Sequence, residues 1–136
     1  MQEKTTEDLR VLLVEDSPLL QDMLAEMLED LPGVTVCACA AGEADAVSRL
    51  REQTVDLAIV DLELSEGSGL GVLRHMQDGA GAGHRPRAVV YSSYAHAVVR
   101  ARCKDLGAEA FFDKALGMDA LIDFVEDVVQ ASPPPG

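Results

Sequence analysis

The sequence predicts a doubly wound α/β domain, a parallel five-stranded sheet covered by helices on both faces. Three observations point there. Short aliphatic runs alternate five times with stretches of helical apolar spacing, the rhythm of parallel strands and their crossover helices. Hydrophobic residues make up 48% of the chain and aromatic ones only 4%, so the core is built of Val, Leu, Ala and Ile. Polar residues directly follow four of the aliphatic runs, where an open α/β sheet binds its ligands. A length of 136 residues suits one such domain.

The elements follow in order. After a polar lead over residues 1–9, Arg10-Val11-Leu12-Leu13-Val14 is a continuous apolar strand that stops at Glu15-Asp16. Ser17-Pro18 opens a helix, serine as N-cap and proline in the first turn, and Leu20, Met23, Leu24, Met27, Leu28 and Leu31 recur at helical spacing until Pro32-Gly33. Val34 to Cys39 is the second strand and Ala44 to Gln53 the second helix. Val55 to Asp61 is the central strand. Leu62 to Ser68 makes a turn, and Gly69 to Asp78 forms a helix on Leu70, Leu73 and Met76.

The glycine-rich segment 79–83 is a connection to the fourth strand, Arg87 to Tyr91, which ends in Ser92-Ser93. No Lys-Ser/Thr pair follows those glycines, so they are a spacer and not a phosphate loop. A helix from Ala95 to Leu106 closes at Gly107, a left-handed cap. Glu109 to Phe112 is a short fifth strand ending at Asp113-Lys114. The last helix carries Met118, Leu121, Ile122, Val125, Val128 and Val129. The domain is expected over residues 10–130, and the Pro-rich residues 131–136 are a tail or the start of a linker.

Twenty-four acidic residues against 11 basic ones give a formal charge of −13, which repels phosphate backbones and anionic lipid headgroups. Direct nucleic-acid binding and membrane binding are therefore not expected. Met1 to Arg10 is polar and mixed in charge, unlike a signal peptide, and no apolar run approaches the roughly 20 residues of a membrane span, so a cytoplasmic location is expected. Cys37, Cys39 and Cys103 have no zinc-site spacing and read as small buried thiols, with Cys37 and Cys39 pointing the same way on one strand. His75, His84 and His96 share no metal spacing and read as surface residues.

The strand-end residues carry the chemistry. In a doubly wound sheet the carboxyl ends of strands one and three flank the crevice, which brings Glu15, Asp16 and Asp61 together. Crowded carboxylates can share one hard cation through oxygen ligands, and Asp61 can serve as metal ligand, nucleophile or both. Magnesium suits the site, since it takes few carboxylates and bridges to a phosphoryl oxygen, leaving Ser92 and Lys114 for the other oxygens.

An acid pair after strand one, an aspartate after strand three, a serine after strand four and a lysine after strand five together resemble the receiver domain of bacterial two-component response regulators. The resemblance spans Arg10 to Gln130. It implies a flavodoxin-like (βα)5 fold with strand order 2-1-3-4-5. It implies a phosphorelay in which Asp61 takes a phosphoryl group from phosphohistidine. Glu15, Asp16, Asp61 and the Glu63 carbonyl would hold Mg2+, Ser92 would bond a phosphoryl oxygen, and Lys114 would pair with the phosphorylated aspartate. Phe111 matches the family's aromatic switch position, with simple core packing as the alternative reading of that ring. Gly69 matches the glycine of the turn after the phosphoacceptor, and Glu63 and Tyr94 the two positions that tune phosphoryl lifetime.

By the same resemblance the chain is a signalling switch and not an enzyme. Its partners are a sensor histidine kinase or histidine phosphotransfer protein and a downstream protein met by the fourth helix, fifth strand and fifth helix, Ala95 to Gln130. Two departures stand out. Ala115 follows Lys114 where the family usually has proline, commonly after a cis bond; before alanine that bond costs about 2.5–4 kcal/mol, which weighs against it. Ser65 replaces a frequent proline, which predicts a looser turn. The alternatives are a phosphorylation-independent docking module and a phosphatase similar to the haloacid dehalogenases, which use an aspartate nucleophile with Ser/Thr and Lys.

Overall fold

Strands and helices alternate along the chain as the apolar rhythm predicts. A computed structural model describes residues 8–79 and 85–131. The elements are β1 (Leu9–Val14), α1 (Pro18–Glu29), β2 (Val34–Ala40), α2 (Glu43–Glu52), β3 (Leu57–Val60), α3 (Gly69–Asp78), β4 (Arg87–Ser92), α4 (Ala97–Asp105), β5 (Phe111–Asp113) and α5 (Met118–Ala131). All strand pairs are parallel, in the order β2-β1-β3-β4-β5, as expected. His84, most of the glycine-rich spacer and the Pro-rich end lie outside the described residues.

Parallel strands buried on both faces need apolar side chains throughout, and β3 and, from Val11 onward, β1 supply them. Leu12, Val14, Ala58, Val60 and Val90 face Ala46 of α2, Val72, Leu73 and Met76 of α3 and Cys103 of α4. Val11, Leu13, Leu57, Ile59 and Val89 face Leu24 and Leu28 of α1 and Leu121 and Val125 of α5. The sheet is thus covered by α2, α3 and α4 on one side and by α1 and α5 on the other. Each fully buried Leu or Val contributes about 1.5–3 kcal/mol relative to exposure. Met23, on the helical repeat of α1, is nevertheless 44% exposed.

Helix ends follow local chemistry. Ser17 caps α1 by accepting a hydrogen bond from the Leu20 N–H, and Pro18 opens the first turn. Gly107 adopts φ +99° after α4, the left-handed cap expected there. That helix begins at Ala97, two residues later than its apolar spacing predicts, because His96 provides no side-chain cap and the segment before it is irregular. Ladder pairing in β5 starts at Phe111, but the Glu109 N–H already donates to Ala88 O and the Val90 N–H to Ala110 O, so sheet hydrogen bonding spans the predicted strand.

Cys37 and Cys39 do not point the same way. The pairing shifts between Val11–Val36 and Leu12–Ala38, so Cys37 is an extra residue in β2. Cys37 packs on the α2/α3 side, whereas Cys39 packs on the α1/α5 side. A bulge is invisible in an apolar strand whose two faces are both covered.

Candidate functional site

Two hydrogen bonds place the acids. β1 and β3 are neighbours; beyond their ends the Glu15 N–H donates to Ala40 O and the Asp61 N–H to Val14 O, each at 2.9 Å. Both residues therefore sit at the carboxyl edge of the sheet. Among the described residues the buried polar side chains are Glu15 (3% exposed), Asp61 (5%) and Ser92 (0%), all at this edge. Buried polar groups are costly unless paired, so their gathering at one place demands a partner.

Lys114, just past β5, is that partner. Its Nζ donates to Asp61 Oδ2 at 2.8 Å and stands 2.7 Å from Glu15 Oε1 as an ion pair. Lys114 Nζ is thus the charge that compensates Glu15 Oε1, which is otherwise without a partner. Burial works against the Lys114 charge, but its contacts with Asp61 and Glu15 outweigh burial and hold its pKa above the ordinary lysine value. Glu15 is fixed further: Oε2 accepts from the Ser17 N–H at 2.9 Å, and its carbonyl accepts from Gln21 Nε2.

Glu15, Asp16 and Asp61 each offer a carboxylate oxygen within 4.8 Å of the others. Three carboxylates face one ammonium, an excess of two negative charges. Such a hard-oxygen set fits a divalent cation.

The turn after Asp61 is shaped by Gly69, where any Cβ would collide with the Asp61 carbonyl. The Gly69 N–H closes the turn on Leu62 O at 3.0 Å, and Glu63 and Ser68 form an antiparallel bridge. The Glu63 N–H reaches Asp61 Oδ1 at 3.4 Å while its side chain is exposed. Ser92 Oγ accepts from the Tyr94 N–H at 3.1 Å. The Tyr94 ring is half exposed and meets His96 edge-on, with centroids 5.3 Å apart.

Phe111, paired with Val90 in the sheet, is half-buried against the α2/α3/α4 side, with the Arg100 guanidinium 4.6 Å from its ring centroid. No cis peptide bond occurs among the described residues, so Lys114–Ala115 is trans. The structure thus brings Glu15, Asp16, Asp61, Ser92 and Lys114 to one sheet edge, with Glu63 beside them and Phe111 apart. Gln21 and Arg100 are not marked by any pattern in the sequence. Neither stands in a strand-end pattern, and both act through partners set only by the fold.

Comparison with known proteins agrees with this geometry. The family model for the response regulator receiver domain matches residues 11–126. A protein-glutamate methylesterase/protein-glutamine glutaminase of Treponema denticola is 30% identical over 116 residues, covering 84% of this chain and 30% of that protein. The probable C4-dicarboxylate response regulator DctR of Bacillus subtilis is 31% identical over 68 residues, covering 50% of this chain and 30% of that protein. The chain thus spans about a third or less of these curated relatives. Among solved structures, a LuxR-family two-component response regulator from Aurantimonas superposes with TM-score 0.80 at 25% identity, over 90% of this chain and 86% of that one. The response regulator domain of Thermotoga maritima CheB has the same fold, with TM-score 0.78 at 22% identity over 93% and 99% of the two chains. With a family match over nearly all of its core, this chain belongs to the response regulator receiver domain family.

Proposed function

We propose that the chain is a phosphorylation-driven switch in which Asp61 accepts a phosphoryl group from a phosphohistidine of a sensor histidine kinase or phosphotransfer protein. The observation that carries this reading is the buried Lys114–Asp61–Glu15 contact beside a fully buried Ser92 hydroxyl. A carboxylate oxygen of Asp61 attacks phosphorus, the P–N bond breaks, and its electron pair returns to the imidazole. Little covalent machinery is needed beyond in-line placement and charge neutralisation.

Glu15, Asp16, Asp61 and the Glu63 carbonyl would hold Mg2+, which when bound neutralises phosphoryl oxygens. Lys114, already 2.8 Å from Asp61, pairs with the oxygens that remain. The Ser92 hydroxyl, now accepting from the Tyr94 N–H, turns to donate to the new phosphoryl group. Phe111 then leaves Arg100 and fills the space vacated, which reshapes the α4-β5-α5 face for a downstream protein. Glu63 and Tyr94 restrict the water that would hydrolyse the acyl phosphate, setting its lifetime.

The receiver unit covers residues 10–130 and works in the cytoplasm, with residues 131–136 as tail or linker. Among the described residues no helix is long and apolar enough to cross a membrane. The complete set of acids with Lys114 favours phosphorylation over a phosphorylation-independent docking role. Amide chemical shifts recorded with Mg2+, then with beryllofluoride added as an acyl-phosphate mimic, test the switch. Shifts over α4, β5 and α5, absent in Asp61→Asn and Ser92→Ala, are expected. Shifts confined to the strand ends in the wild-type protein would overturn it.

A further inference from the structure

The loop after Asp61, which carries Ser65, is clasped to the start of α2. The Glu43 N–H donates to Glu66 O at 2.9 Å, the Ala44 N–H donates to Glu66 Oε1 at 3.0 Å, and Glu43 Oε1 accepts from the Ser68 N–H at 2.9 Å. Each glutamate carboxylate thus accepts a backbone N–H from the other's segment, Glu66 from Ala44 and Glu43 from Ser68, across the gap between α2 and the loop. Room for the clasp comes from two glycines. A Cβ at Gly71 would collide with the Glu43 carboxylate, and one at Gly67, where φ is +70°, with Glu43 Cβ.

The contact leads to the site in two steps. Glu43 fixes Ser68, the N-cap of α3, and Ser68 bridges Glu63 across the turn. Glu63 carries the carbonyl assigned to the cation. We infer that Glu43 is a positioning residue, which holds the loop so that the Glu63 carbonyl is presented beside Asp61 in advance of the metal. This rests on the reading of the site as a Mg2+-dependent phosphoryl acceptor. A carbonyl fixed in place spares the cation the cost of ordering the loop, so the clasp acts on metal affinity as partners of metal ligands do.

The test measures Mg2+ binding to the whole chain by titration calorimetry, and amide exchange over residues 62–69 without metal. Glu43→Ala is expected to bind Mg2+ about tenfold more weakly and to exchange faster in that segment. Glu43→Gln keeps the acceptor and should restore both towards wild type. Asp45→Ala removes another acid from the same first turn of α2 without touching the loop, and should bind Mg2+ as wild type does. Gly71→Ala displaces the Glu43 carboxylate and should weaken Mg2+ binding as Glu43→Ala does. Wild-type amide exchange in the sheet strands of Glu43→Ala and Gly71→Ala would exclude general unfolding.

Wild-type Mg2+ affinity in both Glu43→Ala and Gly71→Ala, or an equal loss in Asp45→Ala, would overturn the positioning role alone. A wild-type protein that binds no Mg2+ would overturn the acceptor reading and this role with it.

Discussion

Lys114 Nζ and Asp61 Oδ2 lie 2.8 Å apart although 53 residues separate them in sequence, and the same ammonium stands 2.7 Å from Glu15. One cation thus compensates two buried carboxylates. Lys114→Met leaves both without charge compensation and is expected to lower the stability of the metal-free protein by about 3 kcal/mol in urea unfolding. Saturating Mg2+ should recover much of the loss. A metal-free variant as stable as wild type would show that the ion pair is not holding the edge together.

The excess of negative charge makes the opposite prediction for Asp16. Asp16→Asn relieves repulsion and should raise metal-free stability by about 1 kcal/mol while weakening Mg2+ binding, a trade of function against stability. Thermal melts with EDTA and with Mg2+ read both effects. Equal changes of the same sign would rule out this trade at Asp16.

Arg87 and Glu109 form a two-point contact at 2.8 and 2.7 Å near the opposite edge. Hydrogen bonding from Arg87 holds the Glu109 carboxyl below its ordinary pKa, against the effect of burial. A depressed folded pKa contributes stability that is present above the unfolded value of about 4.3 and disappears as pH falls through the folded value. Glu109→Gln should therefore cost about 0.5 kcal/mol at pH 7, modest because both side chains are well exposed, and the difference from wild type should vanish at low pH. Denaturant midpoints at pH 7 and pH 3 check this.

Arg100 over the Phe111 ring favours the position in which that side chain stands. An exposed contact of this kind is worth about 0.5–1 kcal/mol, so Arg100→Gln should tighten beryllofluoride binding about two- to fivefold in the presence of Mg2+. Unchanged affinity would separate Phe111 from the switch.

Much of this site was legible because parallel topology sends every strand to the same edge. An aspartate after β3, acids after β1, a serine ending β4 and a lysine after β5 must then meet, and they do. What was not legible depends on partners chosen by the fold. Glu43 is one more acid in the first turn of a helix until Ser68, 25 residues on, is seen to donate to it. The bulge at Cys37 left no trace because β2 is apolar in both directions, and its consequence is concrete. Cys37 and Cys39 lie on opposite faces, and burial raises both thiol pKa values. Mild oxidation of the native protein should form no bond between them, as peptide mapping would show.

Phosphorylation of Asp61 is read by incubating the protein with Mg2+ and acetyl phosphate and measuring its intact mass. A gain of one phosphoryl group, abolished by EDTA and by Asp61→Asn, is expected. A folded, Mg2+-bound protein that gains nothing from acetyl phosphate or a phosphorylated histidine donor, or that gains it equally in Asp61→Asn, would contradict it.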